Sequence, residues 1–193
     1  MNIWSWIHHL QNIAYHDGDE PRQKMVRLFY DAMYIADENP DLALNLLKQS
    51  RAIAEQCQEL WFIQLVNHWE LQYRLYNKRD LTNTLELAVQ SAVETRKPHY
   101  AEFPQRLCLH EDLIRVYQSQ DPFGHLELIE DALNYMEAQL NPRVECYLCF
   151  QQLKLSHKIL TEDLEGANDL AHVFLDHATE DKFHLCHAYQ YLC

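Results

Sequence analysis

At 193 residues the chain has single-domain length, and at that size roughly 70% of the unfolded chain's surface can be buried. A hydrophobic share of 48% with 23% charged residues argues against disorder, and three Gly and six Pro argue against a turn-rich all-β fold. The net charge of −13 argues against a nucleic-acid backbone as ligand, and no run approaches the roughly 18 apolar residues of a membrane span.

The start, MNIWSWIHHL, lacks the basic segment and apolar core of an export leader, so the six Cys read as reduced thiols and the expected location is cytoplasmic. The spacing of Ile3, Trp6, Leu10 and Ile13 predicts a helix over Asn2–Tyr15, broken at Asp17-Gly18. Four pairs of helices are expected after it. The first pairs Pro21–Glu38 with Asp41–Gln56 across Asn39-Pro40, and the second pairs Leu60–Asn77 with Leu81–Thr95 across Lys78-Arg79-Asp80. The third pairs Tyr100–Ser119 with Gly124–Gln139 through Asp121-Pro122, and the fourth pairs Arg143–Leu160 with Leu164–Ala178 around Glu162-Asp163. Lys182–Cys193 opens a fifth first helix and stops without a capping element, as a chain continuing past Cys193 would.

These pairs repeat. Arg74, Tyr76, Asp80, Leu85 and Leu87 recur forty-one residues on as Arg115, Tyr117, Asp121, Leu126 and Leu128, and the same interval leads back to Leu44 and Leu46. Second helices carry columns of small or aliphatic residues, such as Leu47, Ala88, Ile129 and Leu170, or Ser50, Ser91, Ala132 and Val173. Such stripes let neighbouring helices approach closely, and a fixed period of this size marks a helical-repeat array. The expected organisation is one domain over 1–193, with a capping helix at 1–19, repeats at 20–58, 59–99, 100–141 and 142–179, and an incomplete unit at 180–193.

Two-helix units with an aromatic near the end of the first helix, an acid in the turn and small residues in the second resemble the tetratricopeptide repeat. Aligning Asp80 with the family's turn acid places Thr84 and Ser91 at its small positions, and Leu71 and Leu75 at inward positions of the first helix. The period is forty-one rather than the family's usual length, His68 and Gln72 stand where Trp and Gly are usual, and Asp112 takes an inward position. HEAT and armadillo units of roughly 40–47 residues are the competing assignment. The resemblance implies an all-α, right-handed superhelical solenoid of antiparallel helix hairpins whose first helices line a concave face. It further implies rows through Leu28, Trp69, His110 and Gln151; through Ala32, Tyr73, Ile114 and Leu155; and through Ile35, Tyr76, Tyr117 and Lys158.

Aromatics with a polar handle suit a peptide or helix laid in a groove. The candidate partner-binding residues are therefore Leu28, Trp69, Tyr73, Tyr76, His110, Ile114, Tyr117, Gln151 and Lys158. The competing reading is that these rings simply pack between first helices.

Other chemistry finds little footing. His184, Cys186, His187 and Cys193, and the pair Cys146 and Cys149, lack a convergent tetrahedral set, so no metal and no cofactor is expected. Glu111 and Asp112 are adjacent and diverge on a helix, and no phosphate loop, His-Glu-x-x-His or Gly-x-Ser-x-Gly motif occurs. The expectation is a non-catalytic scaffold with a protein or peptide partner, and neither nucleic acid nor membrane. The alternatives are the sensory or regulatory segment of a longer signalling protein whose effector lies beyond Cys193, and self-association through the C-terminal end.

Overall fold

The computed structural model of the chain describes residues 7, 8, 11, 12, 15, 18–76, 81–101, 103, 106–139 and 147–177. Among the described residues there are eight helices and no strand: α1 (Glu20–Ile35), α2 (Pro40–Gln56), α3 (Leu60–Tyr76), α4 (Leu81–Thr95), α5 (Arg106–Gln120), α6 (Leu126–Gln139), α7 (Tyr147–Leu160) and α8 (Leu164–His177). The chain is all-α. Its helices gather into two compact units, Met1–Asp112 and Leu113–Cys193, the division falling within α5. In the first, α1 packs on α2, α2 on α3 and α3 on α4; in the second, α6 packs on α7 and α7 on α8.

Local chemistry sets the helix ends of the first unit. The Asp19 carboxylate accepts from the Arg22 backbone N–H at 3.1 Å and Pro21 sits in the first turn of α1. The Asn39 side chain does the same for Leu42 at 3.1 Å, with Pro40 in the first turn of α2. Each cap satisfies an amide that the helix leaves unpaired, and the proline removes another. Gln58, at φ 57°, ends α2 in the left-handed region, and Glu59 N–H closes back on Ala54 O at 2.9 Å. The third expected pair starts later than the spacing predicts. Pro98–Tyr100 forms a single 3-10 turn and α5 begins at Arg106, just past Pro104, because a proline ring is excluded from a helix interior.

The forty-one-residue interval reappears in what is buried. Ala43, Leu47, Ser50 and Ala54 form the covered stripe of α2, and Thr84, Ala88, Ser91 and Thr95 occupy the same columns of α4, all covered. Ile129, Ala132 and Met136 continue three of these columns in α6, whereas Val173 in α8 is exposed. Small side chains here bring helix surfaces together: Ser50 Oγ reaches across from α2 to donate to Met25 O in α1 at 2.8 Å. Thr95 Oγ donates within its own helix to Ser91 O at 2.9 Å, so its hydroxyl is satisfied although buried.

The core of the first unit is built around Phe29, which is fully covered and meets Phe62 edge-on at 5.5 Å and Trp69 at 6.4 Å. Met25, Val26, Leu47, Leu65 and Val66 complete its centre, and Ile7 joins them. Ile7 is buried while His8 and Tyr15 are exposed, so the described positions ahead of α1 have one covered side. The stripe residues Ile3, Trp6, Leu10 and Ile13 lie outside the described residues, as does Lys182–Cys193 with its expected fifth unit.

In the second unit two turns share one device. The Asp121 carboxylate accepts from Gly124 N–H and the Asp163 carboxylate from Gly166 N–H, each at 3.0 Å. A Cβ on either glycine would overlap the capping carboxylate, which explains the Asp-x-x-Gly spacing. His157, on α7, has a buried Nδ1 without a hydrogen-bond partner. Burial pushes its imidazole below the ordinary 6.5, Lys158 adds to the shift, and the Glu130 carboxylate opposes it. The unfolded chain therefore takes up this proton first as pH falls. The His157 contribution to stability is complete above about pH 6.5 and is lost as the pH drops through the lower folded value. Denaturant midpoints measured from pH 8 to pH 5 are expected to fall less steeply below about pH 6.5 for His157→Leu than for the parent chain. Parallel curves would refute this assignment.

Candidate functional site

Helix α3 carries a different chemistry on each face. One face holds a buried carboxylate. Glu70, 2% exposed, accepts from Arg51 of α2 at 2.5 Å and from Arg74 at 2.7 and 3.0 Å. Arg51 also donates to Asn67 Oδ1 at 2.9 Å, and Asn67 in turn donates to Ser91 Oγ of α4 at 3.0 Å. A charge so far from water is tolerable only with several charge-assisted partners, and here two guanidiniums supply them. The network ties α2, α3 and α4 together and leaves the opposite face of α3 free to do something else.

A second polar cluster joins α3 to the start of α5. Asp112 is fully buried, with His68 Nδ1 at 2.6 Å from one oxygen and the Gln72 amide donating to the other at 2.5 Å. The imidazole and the amide stand one turn apart on α3, and together they satisfy the buried acid. Asp112 is thereby a structural carboxylate held between two donors.

The remaining face of α3 lines a cleft of about 510 Å3. Trp69, Gln72, Tyr73 and Tyr76 line it from the helix, with Ala36 and Asp37 from the turn between α1 and α2 and Pro40 from the start of α2. The helix residues follow i, i+3, i+4 and i+7 spacing, which aligns them on a single face. Trp69 and Tyr73 are half-buried and packed against the Phe29 core, whereas Tyr76 is 87% exposed. Burial, and then the negative charge of Asp37, push the Tyr73 phenol above its ordinary value. A second hollow, of about 590 Å3, lies between α3 and α4 and is lined by Gln64, Asn67, Leu87, Val89, Gln90, Ser91, Val93 and Glu94. Among the described residues it is lined by no aromatic ring, and its Asn67 and Ser91 are spent on the internal network.

The candidate residues fall into separate environments. Trp69, Tyr73 and Tyr76 come together in the cleft. Leu28 is half-buried on α1 and does not line it. His110 is fully buried; its Nδ1 donates to Arg106 O at 3.0 Å and its Nε2 accepts from Arg96 at 3.3 Å, so both ring nitrogens are spent inside the unit. Ile114, Tyr117 and Gln151 are also buried, and the Tyr117 ring lies 4.9 Å from that of His125. Lys158 pairs with Asp163 at 2.5 Å. The physical reason is the environment of α5. Every residue from Leu109 to Ile114 is covered, so this helix has no solvent-facing row to offer at those positions.

Asp37, the one charge on the cleft among the described residues, escaped the sequence reading. Rows drawn along first helices stop where the helix stops, and α1 ends at Ile35, leaving Ala36 and Asp37 to a turn outside any helical periodicity. The Pro40 turn signal marked that place without saying what it faced.

Among the described residues no three His, Cys, Asp or Glu side chains converge as a metal site requires, and Cys57, Cys108 and Cys149 form no disulfide. Cys146, His184, Cys186, His187 and Cys193 lie outside the described residues. Among the described residues no helix is long and apolar enough to cross a membrane. No protein-family model and no curated protein matches the chain.

Proposed function

We propose that the chain is a non-catalytic interaction module of tetratricopeptide-like hairpins, stacked as a right-handed solenoid, that holds a short segment of a protein partner. The observation that carries this reading is the aromatic cleft of α3, where Tyr76 projects into solvent beside two rings rooted in the core. An open, ring-lined hollow of several hundred cubic ångström suits a small number of anchoring side chains. Covered columns at one interval in α2 and α4 favour the repeat assignment, as do side-chain caps at Asn39 and Asp121, two intervals apart.

The test needs a variant that empties the cleft without loosening the fold. Trp69 is unsuitable, because it packs on Phe29 and its removal would cost about 2–3 kcal/mol of core energy. Tyr76→Ala removes an exposed ring and is expected to change stability by no more than about 0.5 kcal/mol. Peptides selected from a random displayed library on the parent chain are expected to lose at least tenfold in affinity for Tyr76→Ala, with unchanged helical circular dichroism. Equal affinity for both proteins would remove the cleft as the binding site.

A further inference from the structure

The cleft has one more property, its charge pattern. Among the described residues Asp37 is the one charged side chain lining it, and that carboxylate is exposed with no ion-pair partner. Trp69, Tyr73 and Tyr76 stand across from it on successive turns of α3. The Gln72 amide nitrogen, which could otherwise present a donor, is turned to Asp112. The hollow therefore offers three aromatic rings and one carboxylate, and no cation opposes them among its described lining residues.

We propose that this cleft is a cation-binding cage that takes the side chain of a lysine or arginine in the partner segment. The proposal rests on the cleft being the binding site and adds the chemical class of its occupant. Ring quadrupoles attract an ammonium or guanidinium placed over their faces, and the attraction strengthens as water is excluded. The half-buried Trp69 and Tyr73 supply rings whose desolvation is already partly complete, and exposed Tyr76 can close over the aliphatic stem of a long cationic side chain. Asp37 supplies the counter-charge. The same field is felt by Tyr73, whose phenol is disfavoured from ionising by burial and by Asp37, and so it remains a neutral ring beside a bound cation. A net charge of −13 attracts basic segments toward the chain at long range and repels acidic ones. An apolar anchor such as leucine would leave Asp37 unanswered at the mouth of the hollow, and an acidic one would be repelled by it.

The test uses the full chain and a random heptapeptide display library. Selected peptides are expected to be enriched in Lys and Arg. The best binder is then synthesised with its basic residue intact and with norleucine in its place, and both are titrated into the parent chain, Asp37→Asn and Tyr76→Leu by fluorescence polarisation. Norleucine is expected to weaken binding to the parent chain at least tenfold and binding to Asp37→Asn by threefold or less. Affinity of the basic peptide should also fall as NaCl is raised from 50 to 500 mM. Norleucine peptides that bind the parent chain as well as basic ones, while Tyr76→Leu still weakens both, would overturn the cation cage and leave the cleft as the site. Binding indifferent to both Asp37→Asn and Tyr76→Leu, or a library yielding no enriched peptide, would overturn the cleft itself and the cage with it.

Discussion

Phe29→Ala is expected to destabilise the first unit by about 3–5 kcal/mol, the cost of removing a fully buried ring and leaving a hollow behind it. Small domains are stable by only about 5–15 kcal/mol in total, so this one change removes a large part of the margin. The ring has no solvent contact, and it meets Phe62, Trp69 and Tyr30 edge-on at 5.5, 6.4 and 6.2 Å. Aromatic pairs in this arrangement carry about 0.5–1.5 kcal/mol beyond their area. Guanidinium unfolding of the parent chain and variant gives the difference directly. Phe29→Leu, which keeps most of the volume, should recover more than half of it. Because Trp69 leans on Phe29, the alanine variant should also weaken any ligand of the cleft, whereas Phe62→Leu should leave the cleft nearly intact. A loss below about 1 kcal/mol for Phe29→Ala would mean that the site collapses freely, and that Phe29 does not anchor the core as described.

Glu70→Ala is the second large change, with an expected loss of about 3–5 kcal/mol, because it leaves two guanidiniums, of Arg51 and Arg74, largely covered without their anion. Their side chains are 19% and 12% exposed, so solvent can answer only part of the lost interaction. The contrast lies in removing all three. Arg51→Met with Glu70→Leu and Arg74→Met should be far less harmful than Glu70→Ala, since an ion triad replaced by packed apolar groups is often neutral or stabilising by about 1–4 kcal/mol. Asn67 would lose its Arg51 donor in the triple variant but keep its bond to Ser91. Denaturant midpoints of the single and triple variants separate the two cases. Equal losses would show that the network contributes net energy of its own, beyond avoiding stranded charge.

Much of the local architecture was legible in the residues. Pro21 and Pro40 with Asp19 and Asn39 ahead of them mark helix starts, because capping and proline chemistry act over three or four residues. The interval of forty-one was legible because it recurs in side-chain size, and the columns Leu47 and Ala88, and Ser50 and Ser91, are covered in the structure. The start of α5 was misplaced by a 3-10 turn at Pro98–Tyr100 that helical periodicity cannot distinguish from a first helical turn.

The site was less legible. Tyr76 and Tyr117 stand one interval apart in equivalent sequence surroundings, yet one is 87% exposed and the other 6%. Nothing local separates them. Asp112, an acid at an expected inward position, is satisfied by His68 and Gln72, forty-four and forty residues before it. His110 resembled a groove residue and is held by Arg96 and Arg106 instead.

The amino-acid sequence by itself determined that Trp69, Tyr73 and Tyr76 share one face of one helix, since spacing on a helix is geometry that no neighbour alters. Only the tertiary structure decided that this face is open, that the equivalent positions of α5 are closed, and that the Asp37 carboxylate belongs to the cleft. Exposure depends on which distant segment covers a surface, and the turn after α1 faces α3 through packing of α1, α2 and α3 rather than through any property of Asp37 itself.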